Sequence, residues 1–286
     1  MPSRVLIAPA VFIAVATLTA CQGFAVIQPT SASAPCEPGN VFVYTVATDN
    51  TLYRFNPPTL GFEAIGVINC PNDGTAFSMA VDRSGTAWVE YDDGRLYLID
   101  TSNAGCIPTE FVPGQHGFVN FGMGFTANTP GSPEETLFVT GADANGNSVG
   151  LGTIDTTTLE LTPIGQYSGL GVTPGNGAFS ELTGTSDGRL FAFFTHPFGL
   201  VQLDKSSAAV LSDVPLSPIE ISPFPQDAGG LNIAFAFWGG KFWFFVGPDT
   251  ATGVWEYDPL HNTTTLVTTE SFAIVGAGVS TCAPMN

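Results

Sequence analysis

Residues 52–66 read LYRFNPPTLGFEAIG, and four further stretches repeat its form: LYLIDTSNAGCIP at 96–108, LGTIDTTTLELTPIG at 151–165, LVQLDKSSAAVL at 200–211 and VWEYDPLHNTTTLV at 254–267. Each is an apolar run that ends on an acid or amide and turns. Aligned on that corner the five fall at Asn56, Asp100, Asp155, Asp204 and Asp258, spaced 44, 55, 49 and 54 residues apart. A strand-rich repeat of about fifty residues marks small sheets set radially, because one such sheet cannot bury its own faces without neighbours.

Composition agrees with an exported all-β body. Hydrophobic residues make up 44%, Gly and Pro number 33 and 22, and only 11% of residues are charged. Helical periodicity is missing beyond the N-terminus. Acidic groups outnumber basic ones 25 to 7, giving a net charge of −18. Nucleic-acid binding needs clustered Lys and Arg, so that partner class is excluded.

Four strands recur in each unit. Inner strands are expected at Thr75–Asp82, Gly117–Ala127, Ala178–Ser186 and Leu231–Trp238, and second strands at Val41–Val46, Ala87–Tyr91, Thr136–Thr140, Arg189–Phe194 and Lys241–Val246. The corner phrase supplies the third. Outer strands follow at Phe62–Ile68, Leu159–Gln166 and Thr264–Thr268. The first unit lacks an inner strand, and the missing piece stands at the far end as SFAIVGAGVST, 271–281. The expected architecture is therefore a five-bladed β-propeller of four-stranded antiparallel blades, the first completed by the C-terminal strand, which leaves no open ring edge.

The corner acids recur once per unit, as turn formers must and an active site need not. Asp and Asn accept hydrogen bonds from backbone two residues on, so a structural role is expected for them. Two GxSxG matches, 146–150 and 184–188, lack the following helix that a nucleophile elbow requires.

The N-terminus carries a separate message. Arg4, the apolar run Val5–Leu18 and then Leu18-Thr19-Ala20-Cys21 resemble a lipoprotein signal peptide with its lipobox. That resemblance implies cleavage before Cys21 and lipid attachment to its sulfur, with residues 1–20 removed, 21–35 a tether and 36–286 the propeller. Loss of Arg4 would take the net charge from −18 to −19. Under the enteric sorting rule Gln22, in place of Asp, implies the outer membrane. Four cysteines remain, with three possible pairings. Ring geometry selects Cys36 with Cys282 as a latch between the chain ends, and Cys70 with Cys106 as a staple between adjacent blades. Their spacing does not suit zinc.

Long connections at 141–150, 167–177, 217–230 and 247–253 all open on one face, and loops on a rigid scaffold are where binding resides. That face collects Asp92, Asp93, His116, Asp143, His196, Asp227 and Asp249, near Glu90; Glu181 stands within an inner strand. Such a set suits a polar ligand or a cation at the channel mouth. Asp143, Asn145 and Asn147 imitate the start of a calcium loop, but its twelfth position is Ile154 where the bidentate Glu should stand.

The body as a whole resembles β-propeller repeat proteins, loosely the type with a glycine turn, an LY strand and a terminal Asp, and with the lipobox it is similar to propeller lipoproteins of bacterial envelopes. The resemblance implies blades and not chemistry. The expectation is a lipid-anchored envelope module that binds a ligand, a protein or a glycan and uses no required cofactor. The alternative is a metal-dependent or glycan-acting hydrolase, with Glu181 and either Glu90 or Asp92 as its carboxylate pair.

Overall fold

The structure is a computed structural model that describes residues 41–71, 74–169, 180–195, 198–216, 219, 224 and 230–286. The first blade holds β1 (Val43–Ala47), β2 (Thr51–Asn56) and β3 (Gly61–Val67). The second holds β4 (Ala76–Val81), β5 (Thr86–Tyr91), β6 (Leu96–Asp100) and the short β7 (Cys106–Pro108). The third holds β8 (Asn120–Ala127), β9 (Glu135–Ala142), β10 (Ser148–Ile154) and β11 (Leu161–Gly165). Then follow β12 (Ser168–Gly169), the fourth blade with β13 (Ser180–Gly184), β14 (Leu190–Thr195), β15 (Phe198–Leu203) and β16 (Ala209–Pro215), and the fifth with β17 (Asn232–Trp238), β18 (Lys241–Gly247), β19 (Thr252–Asp258) and β20 (Thr263–Glu270).

The last strand, β21 (Ile274–Val279), returns to the first blade and pairs antiparallel with β1, Val279 opposite Val43 and Gly276 opposite Val46. The ring closes as the sequence implies. One pairing was not foreseen: the two residues of β12 run parallel to β16 and extend the fourth blade to five strands.

The apolar residues sort by strand parity into five clusters, one at each blade interface. In β14, Phe191 and Phe193 pack toward the fifth blade, while Leu190, Ala192 and Phe194 pack toward the third. In β18, Phe242 and Phe244 face the fourth blade, and Trp243 and Phe245 face the first. Successive side chains of a strand point to opposite faces, so a strand covered on both sides reads as an unbroken apolar run. Hence LFAFFT and KFWFFVG.

Around the axis the inner strands approach backbone to backbone. A Cβ on Gly184 would stand 2.2 Å from the Phe125 carbonyl oxygen, and one on Gly122 would stand 2.2 Å from that of Ser180. Only glycine fits such contacts. The corner acids behave as turn devices: Asp100, Asp155, Asp204 and Asp258 each accept the backbone N–H two residues on, at 2.8 to 2.9 Å. Asn56 departs from this because its second follower is Pro58, which has no N–H; there the chain turns through a 3-10 segment, Pro57–Thr59.

Cys70 and Cys106 are bonded, joining the end of the first blade to β7 of the second. Cys282 is also disulfide-bonded. Its expected partner Cys36 lies outside the described residues, as do Cys21, the leader and the tether. No helix among the described residues is long and apolar enough to cross a membrane.

Candidate functional site

Residues at the ends of second strands and at the starts of inner strands converge at one end of the axis, where a cavity of about 560 Å³ opens. Its polar lining comprises the carboxylates Asp92, Glu181 and Asp249, the hydroxyls of Thr48, Thr75, Ser180 and Thr195, and the Asn232 amide. Ala76, Phe77, Leu231, Ile233 and Val275 supply the apolar part. Four blades contribute. The third lends none of these side chains; on its inner strand β8, Gly122 leaves room for the Glu181 carboxyl, whose Oε2 lies 3.0 Å from where a Cβ would be.

Glu181, on β13, is 4% exposed. Its Oε2 accepts a hydrogen bond from Ser78 Oγ on β4 at 2.9 Å, and its carboxylate also accepts the Met123 backbone N–H on β8. One side chain from the fourth blade thus ties the second and third across the axis. Burial pushes its carboxyl well above the ordinary carboxylate range, more than the two donors pull it down.

Glu90 on β5 stands opposite Ser78 in the β4–β5 register and is fully buried. Its Oε2 accepts the Phe121 backbone N–H at 2.9 Å, while Oε1 has no partner. Burial raises this carboxyl as well, and the charge of Glu181 adds to the effect. Glu90 faces the interface of the second and third blades and does not line the cavity. Of the carboxylate pairs expected from sequence, Glu181 with Asp92 shares the cavity and Glu181 with Glu90 does not.

The two exposed acids at the mouth are held in place. Asp92 receives a hydrogen bond from Thr75 Oγ1 at 3.2 Å, and its own N–H donates to the Thr75 carbonyl at 3.0 Å. Asp249 receives the Gly230 N–H at 3.1 Å and the Asn232 amide at 3.0 Å. Ser180 shares a hydrogen bond with Thr140 at 2.9 Å, and Thr140 in turn bonds the hydroxyl of buried Tyr167, whose pKa burial pushes up to about 12.

The remaining expected residues are elsewhere or engaged. Asp93 pairs with Arg95 at 3.2 Å. His116 sits on an exposed turn beside Gln115, which clamps Leu159 and Leu161 near the outer strand of the third blade. Asp143 accepts the backbone N–H groups of Asn145 and Asn147, and the Asn147 amide, so that loop closes on itself. His196 and Asp227 lie outside the described residues. Among the described residues no three His, Cys, Asp or Glu side chains come together as a metal site.

At the opposite end of the axis, Glu135 accepts the Arg83 N–H and the Thr281 hydroxyl, both at 2.7 Å, linking the second and third blades to the closing strand. A larger groove of about 900 Å³ lies between the first two blades, but its polar groups are already matched. There Arg54 pairs with Glu63, and Asp100 accepts its own turn donors. Ser78, Thr75, Thr48, Thr195 and Asn232 were not singled out in the sequence. Each is an ordinary polar residue, Ser78 within β4 and the others at or beside strand ends, that gains meaning only by convergence.

No protein family and no curated protein matches the chain. Solved structures do, at low similarity. The extracellular domain of a hybrid two-component system of B. thetaiotaomicron is 14% identical, with 80% of this chain covered and a TM-score of 0.40. This chain spans only 29% of that domain's length. A protein of unknown function from Bacteroides caccae is 11% identical, with 82% of this chain and 97% of that one covered and a TM-score of 0.42. The solved Dos1 propeller is 16% identical, with 85% of this chain and 70% of that one covered and a TM-score of 0.40. The fold of the present chain rests on its own strand pairings.

Proposed function

We propose that the chain is a binding module of the bacterial cell envelope, held by a lipid on Cys21 and presenting the channel mouth to its ligand. The axial cavity carries this reading: it is concave, of ligand size, apolar on part of its wall and supplied with a few fixed polar groups. The Cys70–Cys106 bond supports an oxidising compartment outside the cytosol. The lipobox Leu18-Thr19-Ala20-Cys21 supports the anchor, with residues 1–20 as leader and 21–35 as tether, and Gln22 supports outer-membrane delivery. The partner is a small envelope ligand, a glycan or a protein that inserts a side chain.

Two measurements test this. Cys21→Ser should release the full chain from the membrane fraction and abolish palmitate labelling; unchanged fractionation would sink the anchor. Separately, the small-molecule fraction of an envelope extract should raise the Tm of the wild type and not that of Thr75→Trp, whose indole would cover the mouth. Equal response of both would remove the cavity as the site. The hydrolytic alternative retains Glu181 with Asp92, and turnover of an envelope glycan that Glu181→Gln abolishes would favour it.

A further inference from the structure

The cavity carries a charge pattern that narrows its ligand. Three carboxylates line it, contributed by the second, fourth and fifth blades, and none of its described lining residues is Lys, Arg or His. Every described Lys and Arg is engaged elsewhere. Arg54, Arg95, Arg189 and Lys241 pair with acids, Arg83 donates to Thr281, and Lys205 donates to the carbonyls of Ala127 and Asn128. Among the described residues the mouth is therefore a negative field without an internal counter-charge.

A metal ion does not match this arrangement, because the acids do not gather as a coordination group. Asp92 and Asp249 are each fixed by their own donors on different blades, and Glu181 is fixed by Ser78. What satisfies separated anions is a molecule whose cationic groups are themselves separated. The apolar lining is mainly aliphatic, with Ala76, Leu231, Ile233 and Val275 beside Phe77. A chain of methylenes would rest there at little desolvation cost.

Resting on the binding-module reading above, we infer that the cavity receives an aliphatic chain bearing two or more separated ammonium groups, its ends at Asp92 and Asp249 and its methylenes on the Leu231–Ile233 wall. This chemistry occurs in free polyamines and in lysine side chains of a basic peptide.

Calorimetric titration of the full chain with putrescine, spermidine, butylamine, butane-1,4-diol and a tetralysine peptide tests it. Putrescine or spermidine should bind about tenfold tighter than butylamine, since one charge-assisted contact is worth about that factor. The diol should not bind. Asp92→Asn, which can keep its bond from Thr75, and Asp249→Asn, which keeps one acceptor oxygen for the two donors Gly230 and Asn232, should each weaken the diamine about tenfold. Binding by tetralysine alone assigns the same chemistry to a protein partner. The inference is overturned if neither polyamine nor peptide binds, if the diol binds as well as the diamine, or if both amide variants bind unchanged. If the diamines and the peptide fail while envelope extract still stabilises wild type and not Thr75→Trp, the binding-module reading stands alone. If the extract fails too, both fall.

Discussion

Replacing both bridged cysteines, as Cys70→Ala/Cys106→Ala, removes a covalent link between the first two blades, and its effect follows from the length of chain enclosed. The two residues are 36 apart and the loop contains β4, β5 and β6, nearly the whole second blade. In the chain-entropy treatment a loop of that length restrains the unfolded state by roughly 4 kcal/mol at 25 °C. Alanine is chosen because Cys70 is buried with Ile68 and Ala104, where a serine hydroxyl would add a desolvation cost of its own. A single domain commonly holds about 5–15 kcal/mol, so the loss is a large share of the total. Urea unfolding without reductant is the assay, since a reductant would also open the bond at Cys282. The midpoint should fall and the m-value should rise, because an unbridged unfolded chain exposes more surface. A loss under about 1 kcal/mol, with m unchanged, would refute the view that this bridge acts on the unfolded chain.

Three further outcomes are expected. Gly184→Ala drives a Cβ to 2.2 Å from the Phe125 carbonyl, backbone that has no room to yield, and should cost about 1–3 kcal/mol or more in urea unfolding; a loss below about 0.5 would show that the inner strands are looser than drawn. Asp258→Ala removes the acceptor of the Leu260 N–H and the partner of His261 and should lower stability by about 1–2 kcal/mol, whereas Asn56→Ala, at the one corner without a side-chain cap bond, should be nearly silent. For pH, the buried carboxyls of Glu90 and Glu181 are raised above 4.5, so the folded state holds protons that the unfolded state has released. Their contribution is then complete below 4.5 and is lost as pH rises through the folded values. The urea midpoint should fall on that interval in wild type and less in Glu181→Gln; an identical fall in the variant would remove Glu181 as a cause.

Much of the ring was legible because its signals are local. Unbroken apolar runs such as LFAFFT betray strands buried on both faces, and the Asp corners announce turns by chemistry that needs only two neighbouring residues. Closure by β21 was legible through a deficit, an inner strand absent at the start and present at the end. The parallel pairing of β12 was not, since two residues, Ser168 and Gly169, carry no periodicity. The site was legible by halves. Asp92, Glu181 and Asp249 stood out as acids near one end, but Glu90 stood out equally and faces a blade interface instead. Which way a strand acid points depends on register with the neighbouring blade, as the Phe121 N–H that claims Glu90 shows.

Glu181 connects the stability of the ring to the occupancy of its mouth. Its carboxylate joins three blades, yet burial works against its charged form, so that charge grows costly as pH rises. A cationic ligand over the same floor would offset that cost, which makes ligand binding and proton release two sides of one equilibrium. A diamine at a hundredfold excess over its Kd stabilises a protein by about 2.7 kcal/mol. In this chain the gain should grow with pH, because Glu181 becomes a counter-charge only once deprotonated, while Asp92 and Asp249 contribute at every pH where carboxylates are ionised. Denaturation with and without putrescine over a pH series, in wild type and in Glu181→Gln, separates the two contributions. A gain that follows the same course with pH in both proteins would mean that the mouth acids act alone and that the buried carboxyl serves only to tie the blades.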